Sequence, residues 1–350
     1  MAELTELLKT LSNAFGPSGN EEQVAEILRK ELEQYADETK VDKLGNVLFY
    51  HHGKDGYPKV MLSAHMDEVG VMVTFVENEG FLRFETLGGI TSNLMPGQRL
   101  LLKGDNGFVK GIIGTKPPHI LSAEEQNKII PTEDLFIDIG AESLAQVNDK
   151  GVEVGTRGVF DVEFVDLGDG YVRGKALDDR AGCAVLVDVF NTLKDSPFNI
   201  VAVGSVQEEL GLRGARTAAW QADPDFGLAL EGTFAADVPG TRPDRASAKL
   251  KGGPVVTIMD RTVVTHPLVL KTLVGVGKEK AIPYQFKKVP AGGTDAGAIH
   301  LTKAGVPSGT VSVPCRYIHG PAAIAHIDDI KNTIHLVTEF VKAISTKKNT

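Results

Sequence analysis

The spacing of apolar residues changes its rule twice along the chain. Val24, Ile27, Leu28, Leu32 and Tyr35 recur at helical intervals, and Ser18 and Glu21 stand three residues apart just ahead of them. That pattern predicts an amphipathic helix opened by a capping box and laid over a sheet. In contrast, "KVMLSAHMD" (59–67), "NIVAVGSVQEE" (199–209), "FGLALEG" (226–232) and "VPSGTVSVP" (306–314) are short continuous apolar runs ending in polar or glycine-containing stretches. Runs without alternation are apolar on both faces, so they predict buried strands of a mixed, mostly parallel sheet. Helical patterns lie between and after them, in "RAGCAVLVDVFNTLK" (180–194) and "IKNTIHLVTEFVKAI" (330–344). The expected fold class is therefore α/β, a sheet sandwiched by helices.

From about residue 68 to 160 the helical patterns nearly vanish, and hairpin signals stand at Asn78-Glu79-Gly80 and Asp105-Asn106-Gly107. "GVMVTFVENEGFLRFETLGG" and "RLLLKGDNGFVKGIIG" read as neighbouring strands of a small β-barrel or sandwich. A β-domain of residues 68–159 is expected as an insertion into one discontinuous α/β domain, residues 1–67 and 160–350.

Bulk composition narrows the classes of function. The 350 residues are 42% hydrophobic and 24% charged, which suits two globular domains and leaves no stretch for a spanning helix. The start, "MAELTELLKTLSNAFG", is an amphipathic helix carrying acids, unlike a signal peptide, so a cytoplasmic protein is expected. Cys183 and Cys315 lie far apart in apolar surroundings, as free thiols in a reducing compartment would. A net charge of −9 without a basic run argues against nucleic acid or an anionic membrane as partner. Small molecules, peptides or cations remain.

The candidate chemistry sits where the apolar runs stop. His65 and Asp67 follow the first, Glu208-Glu209 the second and Glu231 the third, while His319 comes shortly after the fourth. Asp178-Asp179 adds carboxylates at the start of a helix. Burying one unpaired carboxylate costs several kcal/mol, so a cluster of them calls for positive charge. Ligands of open α/β sheets bind at the carboxyl ends of strands, where these groups can converge. Imidazole with carboxylate suits divalent Zn²⁺, Mn²⁺ or Co²⁺, and two such ions offset several acids. Neither a G-x-S-x-G nor an H-E-x-x-H motif occurs.

"SAHMDEVG", "ALDDRAGC", "VQEELGLRGA", "ALEGTFAADVPG", "GGTDAGAIH" and "RYIHG", in this order, resemble the dinuclear metallo-aminopeptidases of the tetrahedral (TET) group. That family also holds glutamyl and deblocking aminopeptidases and proteins once labelled cellulase M. The resemblance implies a zinc-exopeptidase-like fold and an aminopeptidase with two divalent ions per subunit, Zn²⁺ or Co²⁺ and also Mn²⁺. It implies that Asp178 bridges both ions, that His65 and Glu231 complete one site, and that Glu209 with His319 completes the other. Glu208 becomes the general base, and Asp67 the partner that orients His65. Many relatives have Asp where this chain has Glu231; Asp237, six residues on, is a weaker substitute. Gly293, Thr294 and Asp295 are expected in a pocket wall, with a plain glycine turn bearing an exposed Asp as the other reading. The inserted domain is implied to pair subunits, dimers then building a hollow dodecamer that admits peptides.

Other hydrolases remain open at this point. An N-acyl amino acid deacylase on the same scaffold would differ in rejecting a free substrate amine. A glycosidase needs two spaced carboxylates but usually no metal, and one tryptophan makes a poor sugar platform. A binding module that kept the fold is disfavoured because every proposed catalytic position retains its chemistry.

Overall fold

The computed structural model describes residues 2–120, 122, 124, 128–242, 245 and 248–347. In chain order the strands are β1 (Glu38–Val41), β2 (Val47–His51), β3 (Lys59–His65), β4 (Gly70–Val76), β5 (Leu82–Leu87), β6 (Arg99–Gly104), β7 (Gly107–Gly114), β8 (Phe136–Asp138) and β9 (Arg157–Phe160). They continue with β10 (Val165–Gly168), β11 (Tyr171–Gly174), β12 (Asn199–Ser205), β13 (Phe226–Phe234), β14 (Val255–Thr257), β15 (Gln285–Lys287), β16 (Ser308–Cys315) and β17 (Ala323–His326).

The four continuous apolar runs become four adjacent parallel strands, β12-β3-β13-β16, at the centre of an eight-stranded sheet. β1 and β2 extend one side and β14 and β15 the other, with antiparallel pairings where β2 meets β12 and β14 meets β16. Apolar residues are needed on both faces because helices cover both. Val60, Leu62 and Ala64 of β3 join the larger core, with helices Glu22–Leu32, Leu177–Leu193 and Ile327–Ile344. Met61 of the same strand points the other way, toward Ala215, Ala218, Ala219 and Ala222 of helix Arg213–Ala222. Each fully buried aliphatic side chain contributes about 1.5–3 kcal/mol, so this two-sided burial fixes the register of the strands whose ends carry the polar groups.

Between β3 and the return of the chain, β4-β5-β8-β7-β6-β9 close into a barrel. Val71, Val73, Leu82, Phe84, Leu100, Leu102, Ile113 and Ile137 fill it as a core of its own. Both hairpin signals lie in turns: Gly80 has φ +91°, and Gly104 pairs with Gly107 across Asp105-Asn106. After the barrel the chain does not rejoin the large sheet at once. The exposed β10 and the partly buried β11 form a hairpin that pairs through β11 with β17 in a separate three-stranded sheet. Among the described residues no helix is long and apolar enough to cross a membrane.

The expected capping box is absent. Helix Glu22–Leu32 starts after Glu21 without a side-chain cap bond, and Ser18 and Glu21 turn their polar atoms elsewhere.

Candidate metal centre

Because β12, β3, β13 and β16 run parallel, their carboxyl ends form one rim. β3 ends at His65, Glu231 is the sixth of the nine residues of β13, and the turns after β12 and β16 carry Glu208-Glu209 and His319. Asp178 reaches the same rim from the first turn of helix Leu177–Leu193, where the Asp178–Asp179 peptide bond is cis. The groups line a cleft of about 320 Å³ together with Gly89, Gly211, Leu212, Gly232, Thr262, Gly292 and Gly293.

Asp178 divides its two oxygens between two histidines. Oδ1 is 3.5 Å from His65 Nε2 and Oδ2 is 3.6 Å from His319 Nε2. Glu231 Oε2 stands 3.6 Å from His65 Nε2, and Glu209 Oε1 stands 3.6 Å from His319 Nε2. Two overlapping triads result, His65/Asp178/Glu231 and Asp178/Glu209/His319, each with ligand atoms within 4.8 Å of one another. A third combination within that limit joins His65 to Glu208 and Glu209.

The donor set fits divalent cations. Separations of 3.5–3.6 Å are too long for good hydrogen bonds. Two ligands bonded at 2.0–2.2 Å in tetrahedral geometry lie about 3.4 Å apart, which is close to what is seen. The imidazole orientations agree. A carbonyl can only accept, so His65 Nδ1–H donates to the main-chain oxygen of Asp67 (3.1 Å) and His319 Nδ1–H to that of Gly89 (3.1 Å), and each Nε2 faces the cluster, able to ligate once its proton gives way to a cation. Gly232 is required here, since a Cβ would meet Asp178 Oδ1 at 2.7 Å.

Electrostatics point the same way. Burial pushes Glu208 and Glu231 well above the usual carboxylate range, with neighbouring acids adding to it, and pushes Glu209 up to about 7 against the pull of His319. Burial also raises Asp178, but attraction to His319 and His65 overrides it and holds that carboxyl well below the ordinary value. Burial lowers both imidazoles, yet the carboxylates around them win: His65 lies well above its ordinary value, and His319 is at about 10. Protons thus carry the positive charge that cations would otherwise bring. Part of the compensation is permanent. Beneath Asp67, Glu68 Oε1 receives both Lys175 Nζ (2.7 Å) and Arg180 Nη2 (3.2 Å), all three side chains being buried.

Asp67 does less for His65 by its carboxylate than expected. Its Oδ1 is 3.5 Å from His65 Nδ1, while shorter bonds run from Glu208 N to Oδ1 (2.9 Å) and from Glu209 N (3.1 Å) and Ser18 Oγ (2.5 Å) to Oδ2. Asp237 is engaged elsewhere, in a two-pronged pair with Arg316 at 2.9 and 2.6 Å. Of the expected pocket wall, Gly293 lines the cleft, whereas Thr294 and Asp295 are buried and face away. Thr294 Oγ1 bonds Asp260 and Thr310, and Asp295 Oδ2 accepts from Ser63 and Ser205. Asp295 contributes through its main chain: its N–H donates to Glu231 Oε1 (2.9 Å) and leaves Oε2 to face His65. The sequence reading missed two further supports. Asp179 accepts from His65 N (3.1 Å), and Glu21 accepts from Gln207 N (3.2 Å).

Residues 45–336 match the family profile described as M42 glutamyl aminopeptidase. The chain belongs to this family. A lysyl aminopeptidase of Pyrococcus furiosus is 33% identical over 342 residues, 97% of this chain and 97% of that protein. The crystal structure of a TET aminopeptidase from a marine sediment archaeon of the Thaumarchaeota shares 41% identity and superposes with a TM-score of 0.95, covering 99% of this chain and 97% of the other. The TET1 peptidase of Pyrococcus horikoshii, which can assemble into a tetrahedron or a large octahedral shell, is 31% identical with a TM-score of 0.86 over 97% of this chain and 99% of its own. The protein is accordingly an M42 aminopeptidase, a metal-dependent hydrolase of peptide bonds.

Proposed function

We propose that this M42 aminopeptidase removes N-terminal residues from peptides at a pair of divalent cations, one held by His65, Asp178 and Glu231 and the other by Asp178, Glu209 and His319. The observation that carries this reading is the division of the Asp178 carboxylate between the two histidines. Two bound cations would supply Lewis-acid chemistry, polarising the scissile carbonyl and making water acidic enough to attack it near neutral pH. Glu208 Oε2 takes the proton of the attacking water and returns it to the leaving amine nitrogen. Asp67 holds the Glu208 and Glu209 main chain, and the two Nδ1–H bonds fix the imidazoles. The cleft's described lining contains carboxylates and no Lys or Arg, an environment that receives the free α-ammonium group of a peptide. Gly292, Gly293, Thr262 and Leu212 then bound the first side chain.

Zn²⁺, Co²⁺ and Mn²⁺ all satisfy this ligand set. Residues 68–159 form the subunit-pairing domain on which dimers build a dodecamer, a role supported by the exposed Phe75 and Ile112 on the barrel. Two buried unpaired thiols support a reducing, cytoplasmic setting.

The test is an assay on aminoacyl anilides and short peptides, each with a free and an N-acetylated amine, with chelator and with Zn²⁺ or Co²⁺ restored. Metal-dependent release from free-amine substrates alone is expected. Release from the acetylated set alone would overturn the aminopeptidase reading in favour of a deacylase.

A further inference from the structure

The turn carrying Glu208 and Glu209 is gripped by carboxylates from outside. Three successive main-chain N–H groups each meet one carboxylate oxygen: Gln207 N donates to Glu21 Oε1 (3.2 Å), Glu208 N to Asp67 Oδ1 (2.9 Å) and Glu209 N to Asp67 Oδ2 (3.1 Å). Ser18 Oγ donates to that same Asp67 Oδ2 (2.5 Å), and Glu21 Oε1 also receives Gly19 N (2.6 Å). Ser18, Glu21 and Asp67 are respectively 2%, 6% and 0% exposed.

The turn needs such anchors. β12 has ended at Ser205, and both Gln207 and Leu212 are in the left-handed region, at φ 55° and 59°. A non-glycine residue held there costs on the order of 1–3 kcal/mol and persists only where surroundings enforce it. The helix that follows Glu21 has meanwhile given up its cap. Glu21 stands at the N-cap, where a capping side chain is worth about 1 kcal/mol, yet it makes no cap bond, and Ser18 three residues earlier bonds Asp67. Both side chains serve the turn instead.

We propose that Ser18 and Glu21 are positioning residues for hydrolysis: Glu21 directly, and Ser18 through Asp67, fix the main chain from which Glu208 and Glu209 project. This rests on the roles assigned to Glu208 and Glu209 above. Glu21 acts as an acceptor oxygen, so Glu21→Gln retains the function and Glu21→Ala loses it.

Full-length wild type, Glu21→Ala, Glu21→Gln and Ser18→Ala are compared in two ways. Hydrogen exchange is measured on metal-free protein, and kcat and KM on protein loaded with Co²⁺. In Glu21→Ala the amides of Gln207–Glu209 exchange at least about tenfold faster while barrel amides stay at the wild-type rate. Its kcat falls about ten- to a hundredfold with KM within about twofold, the pattern of a misplaced catalytic group. Glu21→Gln recovers most of both. Ser18→Ala shows the same signature more weakly and answers the question should Glu21→Ala not fold. Wild-type exchange and kcat in both truncations would overturn the proposal, and so would faster exchange spread evenly over barrel and sheet. A wild type inactive on every free-amine substrate would defeat the function proposed above, while the exchange comparison would still decide whether Glu21 holds the turn.

Discussion

Glu208 Oε2 lies 3.9 Å from His65 Nε2, outside hydrogen-bond range and facing the same cleft. Its neighbour Glu209 points instead at His319. In the mechanism proposed above these adjacent glutamates have separable duties, one handling a proton and one binding an ion. Glu208→Gln should keep two ions per subunit by elemental analysis while kcat falls at least about a hundredfold. Near-normal turnover in that variant would remove Glu208 from the chemistry.

The two triads share only Asp178, so their ligands should be separable by mutation. His65→Ala and His319→Ala are each expected to weaken one ion by about a hundredfold or more in calorimetric titration, and Asp178→Asn to weaken both. Asp237→Asn is the control, because that carboxylate is already paired with Arg316. Loss of an ion in Asp237→Asn, or full occupancy in either histidine variant, contradicts the ligand set.

Much of this rim was legible in the chain because strands buried on both faces leave continuous apolar runs, and the residues ending those runs stand out. His65, Glu208, Glu209, Glu231 and His319 were all found that way. What the pattern could not supply was the direction of side chains fixed by distant contacts. The interval from Ser18 to Glu21 fits a helix cap as well as it fits an anchor for a turn nearly two hundred residues on. Thr294 and Asp295 immediately precede the short helix Ala296–Ile299, and only its packing decides which way they face. β10 and β11 are four residues each, and their partner β17 lies about 150 residues later, too short and too distant a pairing for periodicity to reveal.

Metal-free protein should lose stability as pH rises, and bound ions should suppress the effect. Glu209, at about 7, and Glu208 and Glu231, well above the ordinary range, hold protons more tightly folded than unfolded. Their contribution is present below about pH 4.5 and is lost as pH rises through their folded values. His65, raised well above its ordinary value, and His319, at about 10, act with the same sign. Their contribution is full below about pH 6.5 and lost on the way to the folded value. Asp178, held low, stabilises throughout this range and would matter only under strong acid. The buried carboxylates alone should lower the Tm of chelated protein by about 5 °C or more between pH 5 and pH 8. A Tm that rises over that interval in chelator would contradict these charge assignments.

The barrel offers a test of assembly that leaves the rim untouched. Phe75 is 59% exposed and Ile112 is 45% exposed, although the barrel already has a filled core of its own. In the assembly proposed above, subunit contacts cover these two side chains. A charge introduced there is costly only when a partner buries it, so Phe75→Glu and Ile112→Glu should fold normally. Light scattering should show the double variant shifted from a high-mass species toward dimer or monomer. Its activity on a short anilide should stay within about threefold of wild type, because no barrel strand supplies a ligand to either triad. An unchanged high-mass species would exclude these two positions, which lie on the non-adjacent strands β4 and β7, from the assembly. Loss of anilide activity together with mass would mean that the cleft depends on the neighbouring subunit for its shape.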